Sequence, residues 1–449
     1  MGVQVSRIKN IFTWNLLFVF ALIAIASVIF ALRYKAAFSH PNFYAEDGSI
    51  LIQNIFDKGF IEATLTGFNG YLIAGQYLIA DAAVFIYKIF GLELYLLPTV
   101  VAILSCIFLG LTVSLPYILF KKQLGTILAL TAVAIGAFVP VPTFDYAIIG
   151  TIGNLKFLFL YWAFLFILYR NLHSKNVKKV IISDIMIFLS IITYAPAVFL
   201  LPFALLPYKE DIKKIFHRKL KIKALFTTYT VSLLFISALS ALYLLIVFLK
   251  GIPEIPGYLD TPYTWSSTIE IIYRVTFYIF TYPMSLGMTK LGVLIILGIY
   301  LWWAIFKVKG DKLPLVLGSW AIFIATVSFV ANRPGISIYF QGFGGTPDQF
   351  FYAQTLVFGF MTIWLIAQSR AIKRNAVYTI PITVIFLLCT IHFGSTWGAS
   401  SNGYAGLGTS YQNITHACKE AKKNDKKVTI QMYPTKHWVW SVDKKEACK

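Results

Sequence analysis

Two adjacent carboxylates, Glu46 and Asp47, are the residues of this chain whose types and position could do chemistry. They lie in the stretch FYAEDG, residues 43–48, which follows an apolar run from Ile11 to Leu32. A carboxylate held beside a hydroxyl group can take its proton and act as a general base. The pair could equally be a solvated loop in which Asp47 caps the amphipathic helix that follows. The residue types alone leave both interpretations open.

The composition indicates an integral membrane protein. Hydrophobic residues make up 58% of the chain and charged residues 13%, about half the charged fraction of a soluble domain. The net charge of +20 comes from short basic clusters between apolar runs, which is typical of loops that orient spans and meet lipid headgroups. Nucleic acid is therefore not an expected partner. The first apolar run exceeds the length of a signal peptide, so we expect a retained anchor.

The predicted fold is an all-α polytopic membrane domain over residues 1–394, with about eleven transmembrane helices. The basic clusters, such as residues 170–179, fall mainly in cytoplasmic loops when the N-terminus is cytoplasmic, which places Glu46 and Asp47 on the outer side. The segment 71–90 would reverse this pattern as a span. It is therefore predicted to be an interfacial helix within a long first outer loop, residues 33–94. The predicted spans are residues 11–32, 95–120, 125–140, 155–169, 180–195, 196–207, 224–249, 291–306, 315–331, 350–368 and 376–393.

The polar tail, residues 395–449, is predicted to be a small α+β domain that packs onto the outer loops. Two of the four cysteines, Cys418 and Cys448, bracket this tail. Outside the cytoplasm they could form a disulfide, which would stabilise the tail by about 3–4 kcal/mol. Cys106 and Cys389 lie in apolar runs and are expected to be small buried hydrophobic residues. The six histidines show no metal-ligand spacing, so no zinc site is predicted.

The order of elements around the acidic pair resembles the first extracytoplasmic loop of the GT-C glycosyltransferases. The acidic pair follows the first span, and an amphipathic segment and a Gly-Tyr precede the next apolar helix. The FYAEDG stretch, the chain length and the cysteine-bearing tail resemble, more narrowly, the phage-type serotype-converting O-antigen glucosyltransferases of enteric bacteria. Some GT-C enzymes use a divalent metal and others do not, and no pattern in this sequence predicts one.

The resemblance implies transfer of a sugar, with glucose expected, from undecaprenyl phosphate to a lipid-linked O-antigen or other surface polysaccharide. The reaction would take place at the periplasmic face of the bacterial inner membrane and invert the anomeric configuration by single displacement. The implied partners are the donor, the acceptor, a glycosyltransferase that charges the carrier as donor synthase, and a flippase that brings the donor across.

The resemblance assigns Glu46 or Asp47 as the general base. Outer-loop cations are the candidates for the departing phosphate, in the order Arg333, Arg274 and Lys156, although each could instead be a cation that reaches the membrane interface. Asp348 could touch substrate or pair with Arg333. Aromatic residues at the expected membrane boundary could form an aromatic belt or stack on the sugar. They are Tyr44, Tyr71, Tyr263, Trp265, Tyr339 and Trp397.

A polysaccharide polymerase or a transporter of lipid-linked glycans is the alternative function. A polymerase is expected to centre on arginines in large outer loops, and a transporter on ionisable residues at mid-membrane depth. The main candidate intramembrane acid, Asp184, is predicted near a cytoplasmic end. No internal repeat of the kind found in many transporters is evident. These observations favour the enzyme.

Overall fold

The computed structural model describes residues 2–68, 72–138, 148–209, 213, 228–250, 298–308, 310–331, 352–370, 409–423, 425–432 and 439–448. The protein is mostly helical, with one small two-stranded sheet. The predicted span at residues 376–393 lies outside the described residues, as do residues 291–297 of the span predicted at residues 291–306.

The helices follow the apolar runs of the sequence closely. The α-helices are α1 Gly2–Arg33, α2 Ala36–Ser39, α3 Gln53–Thr66, α4 Ala74–Ile89, α5 Leu97–Leu124, α6 Thr126–Phe138, α7 Leu158–Leu172, α8 Val177–Thr193, α9 Thr228–Lys250, α10 Leu313–Ala331, α11 Tyr352–Arg370, α12 Ser410–Glu420 and α13 Lys444–Ala447. The 3-10 helices are Leu94–Leu96, Gly153–Phe157 and Ala195–Tyr208, and the π-helical turns are Asp47–Ile52 and Trp303–Lys307. The strands are β1 Lys427–Gln431 and β2 Val439–Asp443.

Three helices of the described chain are long and apolar enough to cross a membrane: Asn15–Arg33, Leu94–Leu124 and Gly153–Leu172. Four shorter apolar helices are Thr126–Phe138, Ala195–Tyr208, Val231–Ile246 and Leu313–Ser328. These helices support the transmembrane character expected from composition. The number of eleven spans stays a prediction.

Close backbone contact holds the first long helix against the second. A Cβ atom placed on Gly110 of α5 would lie 2.3 Å from Ser27 Oγ and 2.7 Å from the carbonyl oxygen of Ile23, both on α1. Small residues at such crossings let helix backbones approach, which is the usual way for helices to associate in lipid. Gly110 therefore sets the distance between α1 and α5.

One end of the helical bundle is formed where α1 and α6 finish and where α5 and α7 begin. Arg33 was predicted to be a loop cation, but it is the last residue of α1 and its side chain is only 3% exposed. Its Nη1 donates a hydrogen bond of 2.6 Å to the carbonyl oxygen of Ala137 in the last turn of α6. A cation is favourable there because the last carbonyl groups of a helix carry partial negative charge. This end also carries Glu46 and Asp47, and we therefore call it the acidic end.

The opposite end contains a buried ion pair. Arg170 was predicted to lie in a basic loop, but it lies within α7 and is fully buried. Its Nε donates a 2.7 Å hydrogen bond to Asp184 Oδ1 on α8, and its Nη1 donates to the carbonyl oxygen of Ala204 at 3.2 Å. The Ser232 hydroxyl of α9 donates to the other Asp184 oxygen. The predicted intramembrane acid thus has partners on two neighbouring helices, α7 and α9.

The first loop and the tail share one hydrophobic cluster. Helix α3 is kinked at Gly59, where φ is +74°, and α4 buries the face of Tyr77, Ala80 and Val84 while Phe85 is 61% exposed. In the tail, β1 and β2 pair antiparallel and Cys418 and Cys448 form a disulfide with Cα atoms 5.7 Å apart. The α+β content and the packing of the tail onto the first loop match the expectation from sequence.

Candidate active site

A strained turn presents the acidic pair to the bundle. Ala45 has φ of +38° and is 3% exposed. A positive φ is costly for a residue with a Cβ atom, so packing must hold it there. The Asp47 amide then donates a 2.8 Å hydrogen bond to the carbonyl oxygen of Tyr44, which closes the turn before the π-helical segment Asp47–Ile52 begins. Segments of π-helix are rare and are frequent at functional sites.

Asp47 binds the start of the helical segment that continues into α7. Its Oδ2 accepts a hydrogen bond from the Ile152 amide at 2.9 Å, and its Oδ1 accepts one from the Gly153 amide at 2.7 Å. These amides precede or begin the 3-10 turn Gly153–Phe157, so they are donors that the helix itself cannot satisfy. A carboxylate suits this position because both oxygens accept and because the N-terminal end of a helix favours negative charge.

Burial changes the acidity of Asp47. The residue is 1% exposed, and removal from water raises its pKa from 3.8 to about 7. The two backbone hydrogen bonds oppose this rise, the charge of Glu46 adds to it, and Lys156 opposes it. The pair therefore has one carboxyl group that titrates close to neutral pH, a property that is common in active sites.

Glu46 differs from its neighbour in access and in partners. Its side chain is partly exposed and lies over Gly153, where a Cβ atom would be 3.9 Å from Glu46 Oε2. Within the described part of the chain, its carboxylate makes no hydrogen bond or ion pair. A general base needs oxygen lone pairs that a substrate hydroxyl can reach. Glu46 meets this requirement better than Asp47, although the sequence does not distinguish the two.

Lys156 and Tyr44 are the predicted binding residues that the structure brings to this site. Lys156 lies one turn after Gly153 and is close enough to Asp47 to lower the pKa of the Asp47 carboxyl group. The Lys156 Nζ also lies 5.7 Å from the centre of the Phe68 ring and 5.4 Å from that of Phe157. A cation beside aromatic faces at the acidic end fits the role of a phosphate ligand.

The remaining predicted binding residues lie outside the described residues. They are Arg274, Arg333, Asp348, Tyr71, Tyr263, Trp265, Tyr339 and Trp397. In the part that is described, no three His, Cys, Asp or Glu residues cluster in a way that could hold a metal ion.

Gln76 is a polar member of the site to which the sequence analysis assigned no role. It lies in the first turn of α4, is 1% exposed, and its Nε2 donates a 3.2 Å hydrogen bond to the carbonyl oxygen of Gly153. Its Oε1 is buried without a hydrogen-bond partner in the described structure. A glutamine in a predominantly apolar segment was the signal that could have identified it.

A close contact holds α4 against the bundle at this point. The amide of Gly75 donates a 2.9 Å hydrogen bond to Thr193 Oγ1 at the end of α8, and a Cβ atom on Gly75 would lie 2.3 Å from the ring of Phe159. Glycine is therefore required for α4 to approach α7 closely. This approach brings Gln76 to Gly153 and completes the surroundings of the acidic pair.

Comparison of the chain with protein-family models finds no match, and comparison with curated proteins finds none either.

Proposed function

We propose that this chain is a GT-C-type membrane glycosyltransferase that transfers a sugar from undecaprenyl phosphate to a lipid-linked surface polysaccharide, with glucose as the sugar. The observation that carries the proposal is the acidic pair. A buried carboxylate fixes the loop to the helical segment leading into α7, and an accessible carboxylate lies next to it, with Lys156 close by.

In the proposed reaction Glu46 takes the proton of the acceptor hydroxyl. The hydroxyl oxygen forms a bond to the anomeric carbon while the bond from that carbon to the phosphate oxygen breaks. The electron pair of the broken bond leaves with polyprenyl phosphate. Lys156 stabilises the developing charge on this phosphate, and Arg333 and Arg274 are the further cations proposed for this role. Because the attack is a single displacement, the configuration at the anomeric carbon inverts.

Asp47 has a different proposed role from Glu46. Both of its oxygens accept backbone hydrogen bonds, and the side chain has almost no exposed surface. We therefore assign it as a positioning residue that holds Glu46 over Gly153. Misplacing a reacting group by about 1 Å can lower the rate by about 100-fold, so loss of this anchor should reduce transfer without removing the base.

The buried ion pair supports the enzyme over a transporter. Asp184 is held by Arg170 and Ser232, and Arg170 has a second partner in Ala204. An acid satisfied in this way is a structural link between helices rather than a free carrier of ions. The proposed setting is a multi-pass protein of a bacterial inner membrane, with the acidic end and the tail in the periplasm. The donor synthase and the flippase are proposed partners.

The test is transfer by purified protein in detergent or liposomes, with polyprenyl-phosphate glucose as donor and a lipid-linked oligosaccharide as acceptor. Glu46→Gln should lower kcat by at least about 1,000-fold, since general base catalysis and the position of the acceptor are both affected. Ser49→Ala, which changes no charged group in the same loop, is the control. Mass spectrometry of the surface glycan in cells with and without the protein would identify the sugar. Wild-type activity of Glu46→Gln would refute the assigned base.

A further inference from the structure

The tail completes the hydrophobic surroundings of the acidic loop. Residues from both segments form one cluster in which each side chain is almost fully buried. Members from the loop and α3 are Phe43, Leu51, Ile52 and Ile55, and members from the tail are Ile414, Val428, Ile430, Met432, Trp440 and Val442. The Trp440 ring packs edge-on against Phe43 with centroids 5.0 Å apart. The loop therefore buries its apolar side chains in a cluster that it shares with the tail and with α4 and α5.

The tail also approaches the loop backbone closely at Gly48, the residue after Asp47. A Cβ atom on Gly48 would lie 2.2 Å from Met432 Sδ and 3.0 Å from Phe43 Cβ. Met432 follows β1 directly and is 1% exposed, so its neighbours restrict its movement. The thioether thus lies directly on the loop backbone and limits how far this backbone can move from the start of α7.

Polar contacts hold the loop on both sides of Gly48. Before the acidic pair, the Ser410 amide donates a 2.8 Å hydrogen bond to the carbonyl oxygen of Pro41. After it, the Ser441 amide donates a 3.0 Å hydrogen bond to Gln53 Oε1. Each bond fixes the register between the tail and one side of the loop.

We propose that Met432 is a positioning residue for the acidic pair and that the tail is part of the active site rather than a separate module. The proposal rests on the proposed function, because it assigns Met432 an effect on the transfer step. Removing the thioether would give the backbone at Gly48 room to move. Glu46 and Asp47, directly before Gly48, would then lose their fixed position over Gly153.

A double-mutant cycle tests the contact. Gly48→Ala and Met432→Ala are each expected to lower kcat about 10- to 100-fold with KM changed less than about threefold, because position rather than uniform binding is lost. In the double variant the smaller side chain at position 432 makes room for the added methyl group. The kcat of the double variant should be at least about fivefold higher than the value expected if the two single fold-losses multiplied. Additive effects would overturn the proposed contact.

Two further variants separate positioning from loss of the fold. Met432→Leu keeps the volume of the side chain and should retain wild-type kcat. Thr429→Ala, at an exposed position of β1, should leave kcat unchanged. If Met432→Ala does not accumulate as folded protein, Met432→Val carries the same test with a smaller loss of volume. Equal kcat for the Val and Leu variants would also overturn the proposal.

A spectroscopic readout makes the test independent of transfer. The infrared band of the protonated Asp47 carboxyl group, identified by its loss in Asp47→Asn, reports titration of this group. Glu46 and Lys156 are the charged groups that act on it. In Met432→Ala, water that reaches the loop should move the titration midpoint towards lower pH. If wild type transfers no sugar but the midpoint moves, the proposed function fails and the positioning stands. If the midpoint and kcat both stay at wild-type values, the positioning fails.

Discussion

The buried carboxyl group of Asp47 leads to a prediction about stability and pH. Burial raises its folded-state pKa from 3.8 to about 7. Between these values the folded protein holds a proton that the unfolded chain has already released. The contribution of this group to stability therefore falls as the pH rises through the window from 3.8 to about 7, and the loss is complete above it. A difference of about three pKa units corresponds to about 4 kcal/mol.

Asp47→Asn keeps the shape of the side chain but cannot ionise. At pH 4, near the lower edge of this window, the two proteins should differ in unfolding free energy by only about 1 kcal/mol, the worth of a hydrogen bond. At pH 8 wild-type Asp47 is ionised and the folded protein buries its charge, whereas the variant buries none. We expect it to be more stable than wild type by about 2–4 kcal/mol, even though it should transfer sugar more slowly.

The assay is denaturant unfolding of both proteins in the same detergent at several pH values from 4 to 9. Ser49→Ala is the matched control, because it removes a 3.0 Å hydrogen bond to the carbonyl oxygen of Ala45 in the same turn without changing a titrating group. Its difference from wild type should be the same at every pH. A difference between Asp47→Asn and wild type that stays constant within about 1 kcal/mol would refute the reasoning.

Three more predictions concern the elements that support the site. Gly75→Ala should destabilise the protein by about 1–3 kcal/mol, because the new methyl group meets the ring of Phe159. Gly298→Ala, where the space is open, is the control. Equal stability of the two variants in a thermal melt would contradict the proposed clash. Arg170→Met should cost about 3–5 kcal/mol by leaving the Asp184 charge unpaired, and Arg170→Met with Asp184→Leu should recover most of it; a double variant as unstable as the single one would argue against the ion pair. The tail disulfide should block thiol labelling of both tail cysteines in unreduced protein, as mass spectrometry after labelling would show. Its reduction should lower the stability of the tail by about 3–4 kcal/mol. Labelling of these cysteines before reduction would show that the bond is absent.

Apolar runs predicted the helices well because a long apolar segment has few other ways to satisfy its backbone in lipid. The predicted helix ends were wrong where a helix continues through charged residues that are also compatible with helical structure. Helix α5 continues to Leu124, past the predicted end at residue 120, because Lys121 and Lys122 are good helix formers. Arg170 was assigned to a loop by its charge, although a buried partner keeps it within α7.

The segment Ala195–Tyr208 shows a limit of a different kind. As an α-helix, its 14 residues would extend roughly 21 Å, which is too short for the hydrocarbon core of about 30 Å. The segment forms a 3-10 helix instead, at roughly 2.0 Å per residue and thus roughly 28 Å. Pro196, Pro202 and Pro207 lack amide hydrogens and disfavour the α-helical pattern. The sequence contains these prolines, but apolar length alone does not indicate their effect on rise.

The acidic pair could be recognised from sequence, but its partners could not. Asp47 binds the backbone amides of Ile152 and Gly153, and every residue except proline carries such a group, so no residue type marks them. Met432 looks like any apolar residue next to a strand. Its contact with Gly48 depends on how the tail folds back, which local patterns do not encode.

The contact between the loop and the tail also has a consequence for the synthesis of the protein. Gln53 and Ser441, which bond to each other, are 388 positions apart in the chain. At about 5–20 residues per second, a ribosome needs roughly 20–80 s to make the intervening segment. During this time the apolar side chains around Phe43 lack the part of their cover that the tail supplies, so a nascent chain should depend on chaperones at the membrane. A premature stop codon before Met432 would leave every long helix in place and still yield an inert protein.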